Sequence, residues 1–107
     1  MNAKVFILVG AAALSSSVGA FAADGQEVFS ANCASCHGSD GKGRTAAGKK
    51  VRAKDLTESK LADADIEKQI VSGTKDAKGN ARMPSFKTKL SAEEIAALVA
   101  FVKTLRH

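Results

Sequence analysis

The chain's only two cysteines, Cys33 and Cys36, stand three positions apart, and His37 follows directly, giving Cys-Ala-Ser-Cys-His. No other feature limits the fold as sharply, because each chemistry open to this pentapeptide needs its own scaffold. A thiol–disulfide pair belongs on a strand–helix unit. A structural zinc site needs a second Cys or His pair at finger-like spacing. A covalently attached haem needs neither, but it needs an apolar shell around a large flat group.

The hydrophobic pattern decides which scaffold is available. Asp24 and Glu27 form a D-x-x-E variant of the capping box, and a helix is predicted from Gly25 to about Ala34, so the pentapeptide lies at a helix end. Residues 38–55 read as a glycine-punctuated basic loop carrying Lys42, Arg44, Lys49, Lys50, Arg52 and Lys54. Leu56 and Leu61 precede a second helix over Asp63–Ser72, with another short helical turn between the loop and that helix. Ile66, Ile70 and Val71 form its buried stripe, Asp63 its N-cap and Gly73 its left-handed terminator. Thr74–Lys89 is read as irregular, and its length implies a function. Ser91 and Glu94 make a full capping box for a last helix to about Leu105. Its apolar residues Ile95, Leu98, Val99, Val102 and Leu105 recur at i, i+3, i+4, i+7 and i+10. No alternating strand pattern is visible, so the fold is expected to be all-α, with three to four helices.

Residues 1–22 read as a secretory leader: Lys4 is the positive n-region, Val5–Leu14 the apolar run, and Ala20-Phe21-Ala22 the A-x-A site. Cleavage before Ala23 is expected, leaving one small domain, residues 23–107, in the periplasm and without stable membrane insertion. That domain has no Trp or Tyr and only Phe29, Phe86 and Phe101 as aromatics. A chain of this size buries a modest fraction of its surface and needs a staple, which a large apolar cofactor supplies. Loss of Lys4 takes the net charge from +5 to +4, which favours acidic partners without reaching the level of a nucleic-acid binder.

With no strand for a redox pair and no second half for a zinc site, the pentapeptide reads as the c-type haem attachment signature. Two thiols add across the two vinyl groups, forming thioethers at Cys33 and Cys36. The next residue, His37, is placed to bind the iron through an imidazole nitrogen. The candidates for the opposite iron position are Met83, His107, a lysine or water. Met83 is the only methionine left after leader removal, falls outside every helical apolar stripe and is stiffened by Pro84. His107 is the terminal residue and a poor firm ligand.

These residues resemble the small soluble class I c-type cytochromes of bacteria. The resemblance rests on Gly25, Phe29 and the Cys-x-x-Cys-His motif, on Asp55-Leu56, on Met83-Pro84-x-Phe86, and on the terminal amphipathic helix. It implies a few helices around one haem c with its iron. The first and last helices would cross, Gly25 and Phe29 meeting Leu98 and Phe101. Two departures stand out. The proline that many relatives carry after the haem motif is missing, with Ala46 and Ala47 in its place, so another carbonyl must hold the His37 imidazole. With neither Trp nor Tyr present, Lys49, Lys50 or Arg52 are the candidates for the haem propionates.

The function expected is that of a monomeric electron carrier, not an enzyme, with His37 and Met83 filling both axial positions. Its partners would be redox proteins with acidic docking patches, met by Lys75, Lys78, Arg82, Lys87 and Lys89 around Met83 and by the basic loop. The alternatives are a haem-based sensor or peroxidase-like enzyme with an open sixth position, and a module of a larger complex.

Overall fold

The computed structural model describes residues 23–107; the leader and its cleavage site lie outside the described residues. The order of elements is α1 (Gly25–Asn32), α2 (Ala34–His37), α3 (Ala46–Val51), a 3-10 turn (Leu56–Glu58), α4 (Asp63–Ser72), β1 (Thr74–Lys75), β2 (Ala81–Met83) and α5 (Ala92–Thr104). The fold is mostly helical, as expected, but has five α-helices among the described residues instead of three or four, and a small antiparallel hairpin.

Helices α1 and α5 form the frame. The Asp24 carboxylate accepts from the Gln26 and Glu27 backbone N–H groups and starts α1. In α5 the Ser91 hydroxyl accepts from Glu94 N–H while the Glu94 carboxylate accepts from Ser91 N–H, the complete capping box. The two helices cross at Gly25. A Cβ there would meet the Ala97 carbonyl and lie 2.8 Å from Phe101 Cβ, so only glycine permits this approach. Phe29 and Phe101 stack tilted, centroids 5.2 Å apart. Phe29 and Leu98 are the most deeply buried side chains, with Val28, Ile95, Val99 and Val102 around them. Helix α4 adds Ile66 and Ile70, and Phe86 closes the cluster.

Five local expectations are corrected. The first helix does not run unbroken to Ala34: Cys33 leaves helical geometry at φ −120°, and α2 starts after it. The basic segment is not all loop, because Thr45 caps α3 by accepting from Gly48 N–H. Only Gly48 of that helix is buried, so it has no apolar stripe to announce it. The irregular stretch holds the β1–β2 hairpin, whose strands are too short to display alternation. At α4 the N-cap is Ala62, not Asp63; Asp63 sits in the first turn and pairs with Lys103 at 3.0 Å. Gly73 ends α4 with positive φ as expected, though its ψ of −177° is extended rather than left-handed helical.

Candidate functional site

A cavity of about 360 Å³ opens between α1–α2, the segment 51–61, α4, the hairpin and α5. Its walls include Phe29, Leu56, Ile66, Ile70, Leu98 and Val102. All four residues assigned to the haem from the sequence, Cys33, Cys36, His37 and Met83, line this one cavity. The volume and apolar lining are those of a cofactor pocket.

Helix geometry sets the attachment end. Cys33 N–H donates to Phe29 O at 2.8 Å, and Cys33 O accepts from His37 N–H at 2.9 Å. The two thiols and the imidazole therefore emerge from one compact turn. Both cysteines are free. Burial, with the neighbouring Cys36 as a smaller contribution, pushes the Cys33 thiol up to about 11. A working Cys-x-x-Cys redox pair has a lowered thiol pKa, so this environment opposes the disulfide reading. Among the described residues no group of three or more His, Cys, Asp or Glu side chains could hold a metal ion, which opposes the zinc reading.

The imidazole is oriented by backbone. His37 Nδ1 lies 3.0 Å from Lys54 O. A carbonyl can only accept, so Nδ1 carries the proton and Nε2 keeps its lone pair. Burial lowers the His37 pKa, opposed in part by this hydrogen bond, so the ring is neutral and able to ligate at physiological pH. The chain between them is stitched tightly. Gly43 N–H donates to His37 O at 2.7 Å, the Thr45 hydroxyl donates to Ser35 O and Cys36 O, and Leu56 N–H donates to Gly41 O. Gly48 packs on the Cys36 carbonyl with no room for a side chain. Lys54 O is the carbonyl that the missing proline left open; Ala46 and Ala47 begin α3 instead. Nothing in residue type marks such an acceptor, because every residue offers the same backbone carbonyl.

Met83 reaches the cavity by a different route. It pairs with Thr74 across the hairpin, and Arg82 is the extra residue of a bulge between that pair and Lys75–Ala81. The hairpin turn is organised by Asp76, whose carboxylate accepts from Lys78 N–H and Asn80 N–H at 2.9 Å each. Beyond Met83, Phe86 N–H donates to Ile70 O at 2.9 Å and the Ser85 hydroxyl donates to Val71 O. Gly73, at φ +70°, lies against Met83 O, Pro84 and Ser85, so the turn into the hairpin seats the methionine segment.

The basic residues divide. Arg52, Lys54, Lys75 and Arg82 line the cavity, and no Asp or Glu does. Lys78 lies in the hairpin turn, and Lys89 stands 5.6 Å from the Phe86 ring centroid. Lys49, Lys50 and Lys87 are absent from the cavity wall.

An apolar cavity lined by a Cys-x-x-Cys-His motif, with one imidazole nitrogen left free, points to a class: the c-type cytochromes. Residues 20–102 match the family model described as cytochrome C oxidase, cbb3-type, subunit III, and the chain belongs to that family. Cytochrome c6 of Microcystis aeruginosa is 40% identical over 79 residues, covering 74% of this chain and 90% of that protein. Cbb3-type cytochrome c oxidase subunit FixP of Azorhizobium caulinodans is 37% identical over 81 residues, 76% of this chain but 26% of that subunit. The solved structure of KustC0563 c-type cytochrome matches with a TM-score of 0.67 at 33% identity, covering 78% of this chain and 99% of that one. The chain is a small monohaem class I c-type cytochrome, an electron carrier with one covalently bound haem c and its iron.

Proposed function

We propose that this chain is a periplasmic one-electron carrier. Cys33 and Cys36 would anchor the haem as thioethers, and His37 and Met83 would bind its iron. The observation that carries the reading is the commitment of His37 Nδ1 to Lys54 O, which reserves Nε2 for a metal in the same cavity that Met83 lines. When bound, the haem iron takes up and returns one electron by cycling between ferric and ferrous states. Met83 sulfur favours the ferrous form, and the apolar walls disfavour the extra charge of the ferric form, so both raise the potential. With His37 and Met83 both supplied to the iron, no position would be left for a substrate or gas, and the chain would act as a carrier rather than an enzyme or gas sensor. A redox titration under CO tests this. A high midpoint with no CO binding is expected; a low midpoint typical of bis-histidine ligation, or ready CO binding, overturns it.

Residues 1–22 direct export and are removed before Ala23, so amino-terminal sequencing of the exported protein begins at Ala23. Among the described residues no helix is long and apolar enough to cross a membrane. The domain works as a monomer. Its basic residues around the cavity mouth and hairpin steer it to acidic patches on donor and acceptor proteins. Reversing Lys87 and Lys89 to Glu slows association with such a partner and flattens its salt dependence; unchanged rates and slope contradict the docking role.

A further inference from the structure

Between α3 and α4 the chain runs as a strap, residues 53–62, whose sole regular structure is the 3-10 turn. Lys54, Leu56 and Leu61 of the strap line the cavity. A segment without a ladder must find partners for its carbonyls elsewhere. Lys54 O lies 3.0 Å from His37 Nδ1. Thr57 O accepts from His107 N–H at 3.1 Å, and Leu61 O accepts from Arg106 Nη2 at 2.6 Å. Two of these three long-range partners therefore come from one place, just past the end of α5. Lys103 adds its ion pair to Asp63, but both partners are exposed to solvent, so that pair holds little. The Arg106 bond is charge-assisted and stronger. Arg106 Nε is also the one buried side-chain nitrogen or oxygen among the described residues that lacks a partner. A buried donor left unpaired destabilises, and an apolar side chain of similar length would cover the same surface without it. Packing alone gives no reason for arginine here; the Leu61 carbonyl does.

We propose that Arg106 is a positioning residue for the iron ligand: by gripping Leu61 O from outside the cavity, it seats the strap so that Lys54 O stays on His37 Nδ1. The inference rests on the haem reading above. The near end of the strap is pressed against the preceding loop. Leu56 N–H donates to Gly41 O at 2.7 Å, and a Cβ on Gly43 would lie 2.7 Å from Ala53 O and 3.0 Å from Lys54 O. The far end has no such support. The Leu61 side chain is 36% exposed and cannot anchor it by burial, so its carbonyl must. A firm bond from Nδ1–H to a carbonyl makes the opposite ring nitrogen a stronger donor to a metal. Loosening the strap weakens that bond without touching the cavity wall directly.

The test reads the His37 ring proton and the midpoint potential of the haem-loaded protein. Arg106→Met keeps the apolar stem and removes every donor. Exchange of the Nδ1 proton, followed by NMR with isotope-labelled histidine, is expected to quicken about tenfold or more, the size of a lost charged hydrogen bond. The imidazole becomes a weaker donor, the ferric form is stabilised less, and the midpoint rises. Arg106→Lys returns a charged donor to Leu61 O and restores most of both readouts. Ser91→Ala weakens α5 at its other end and leaves both at their wild-type values. If Arg106→Met does not accumulate with haem, Arg106→Gln takes its place, with changes in the same direction. Wild-type exchange and midpoint in the Arg106 variant overturn the assignment, even where resistance to denaturant falls. Exchange that quickens as much in Ser91→Ala overturns it too. A purified wild-type chain without covalent haem overturns the haem reading and this one with it, whereas a haem protein indifferent to Arg106 overturns this one alone.

Discussion

The two walls that supply the proposed iron ligands are built in opposite ways. On one side, His37 directly follows Cys36, in a turn fixed by helical hydrogen bonds and held from behind by Thr45, Gly48 and Lys54 O. On the other side, Met83 hangs from a three-residue strand whose supports are a bulged pairing, one turn organised by Asp76, and two hydrogen bonds to the end of α4. The first wall is fixed by close-range covalent and backbone constraints. The second is delivered by the tertiary fold. The histidine side is therefore expected to be the last to yield to perturbation, and the methionine side the first.

The largest effects come from removing the ligands. His37→Ala is expected to abolish accumulation of normal low-spin haem protein in the exported fraction, measured by haem-stained yield. Met83→Ala keeps covalent haem near wild-type yield but admits CO to the iron. Equal loss of haem in both variants would erase the distinction between the walls.

Next come two glycines, one behind each ligand. In Gly48→Ala the new methyl meets the Cys36 carbonyl and lies 2.9 Å from Gly43 O, both unyielding backbone. In Gly73→Ala it meets Met83 O and lies 2.8 Å from Ser85 N, at a φ that alanine disfavours. Each is expected to cost about 1–3 kcal/mol by denaturant unfolding. They should differ in the spectrum: Gly73→Ala weakens methionine ligation at once, whereas Gly48→Ala leaves it intact until global unfolding. A smaller, neutral reference is Ser91→Ala, which removes the α5 cap for about 1 kcal/mol and should change neither ligand selectively.

The smallest effect is on pH. Hydrogen bonding, first from the Asn80 backbone N–H, holds the Asp76 carboxyl below its ordinary value of 3.8. Its folded value lies below its unfolded one, so its contribution is full above the ordinary carboxylate range and is lost as pH falls through the folded value. Methionine ligation should weaken on acidification before α-helical circular dichroism declines, and Asp76→Asn should remove that acid step.

The same contrast explains what the sequence disclosed. Helices α1 and α5 were legible from their capping residues and from the spacing of Ile95, Leu98, Val99 and Val102, because local chemistry and burial agree there. The crossing of Gly25 and Phe29 with Phe101 followed from the family resemblance, and the structure reproduces it. Helix α3 was hidden because its exposed residues carry no period, leaving Thr45 as its lone signal. The hairpin was hidden because three residues cannot display alternation. Of the site, Cys33, Cys36, His37 and Met83, singled out from the sequence, all line one cavity. Lys54 O was unreadable: its role depends on where the chain passes, not on which side chain it bears. Of the three cations named from the sequence, Arg52 lines the cavity and Lys49 and Lys50 do not.

His37 and Met83 are proposed to hold the iron together. The ferric absorption spectrum of the purified, exported wild-type protein tests it most directly, scanned through the red and near-infrared and repeated for Met83→Ala. A c-type haem with a weak sulfur-to-iron band, present in the wild type and missing in the variant, is expected. A wild-type spectrum lacking that band, or one unchanged by Met83→Ala, would contradict it.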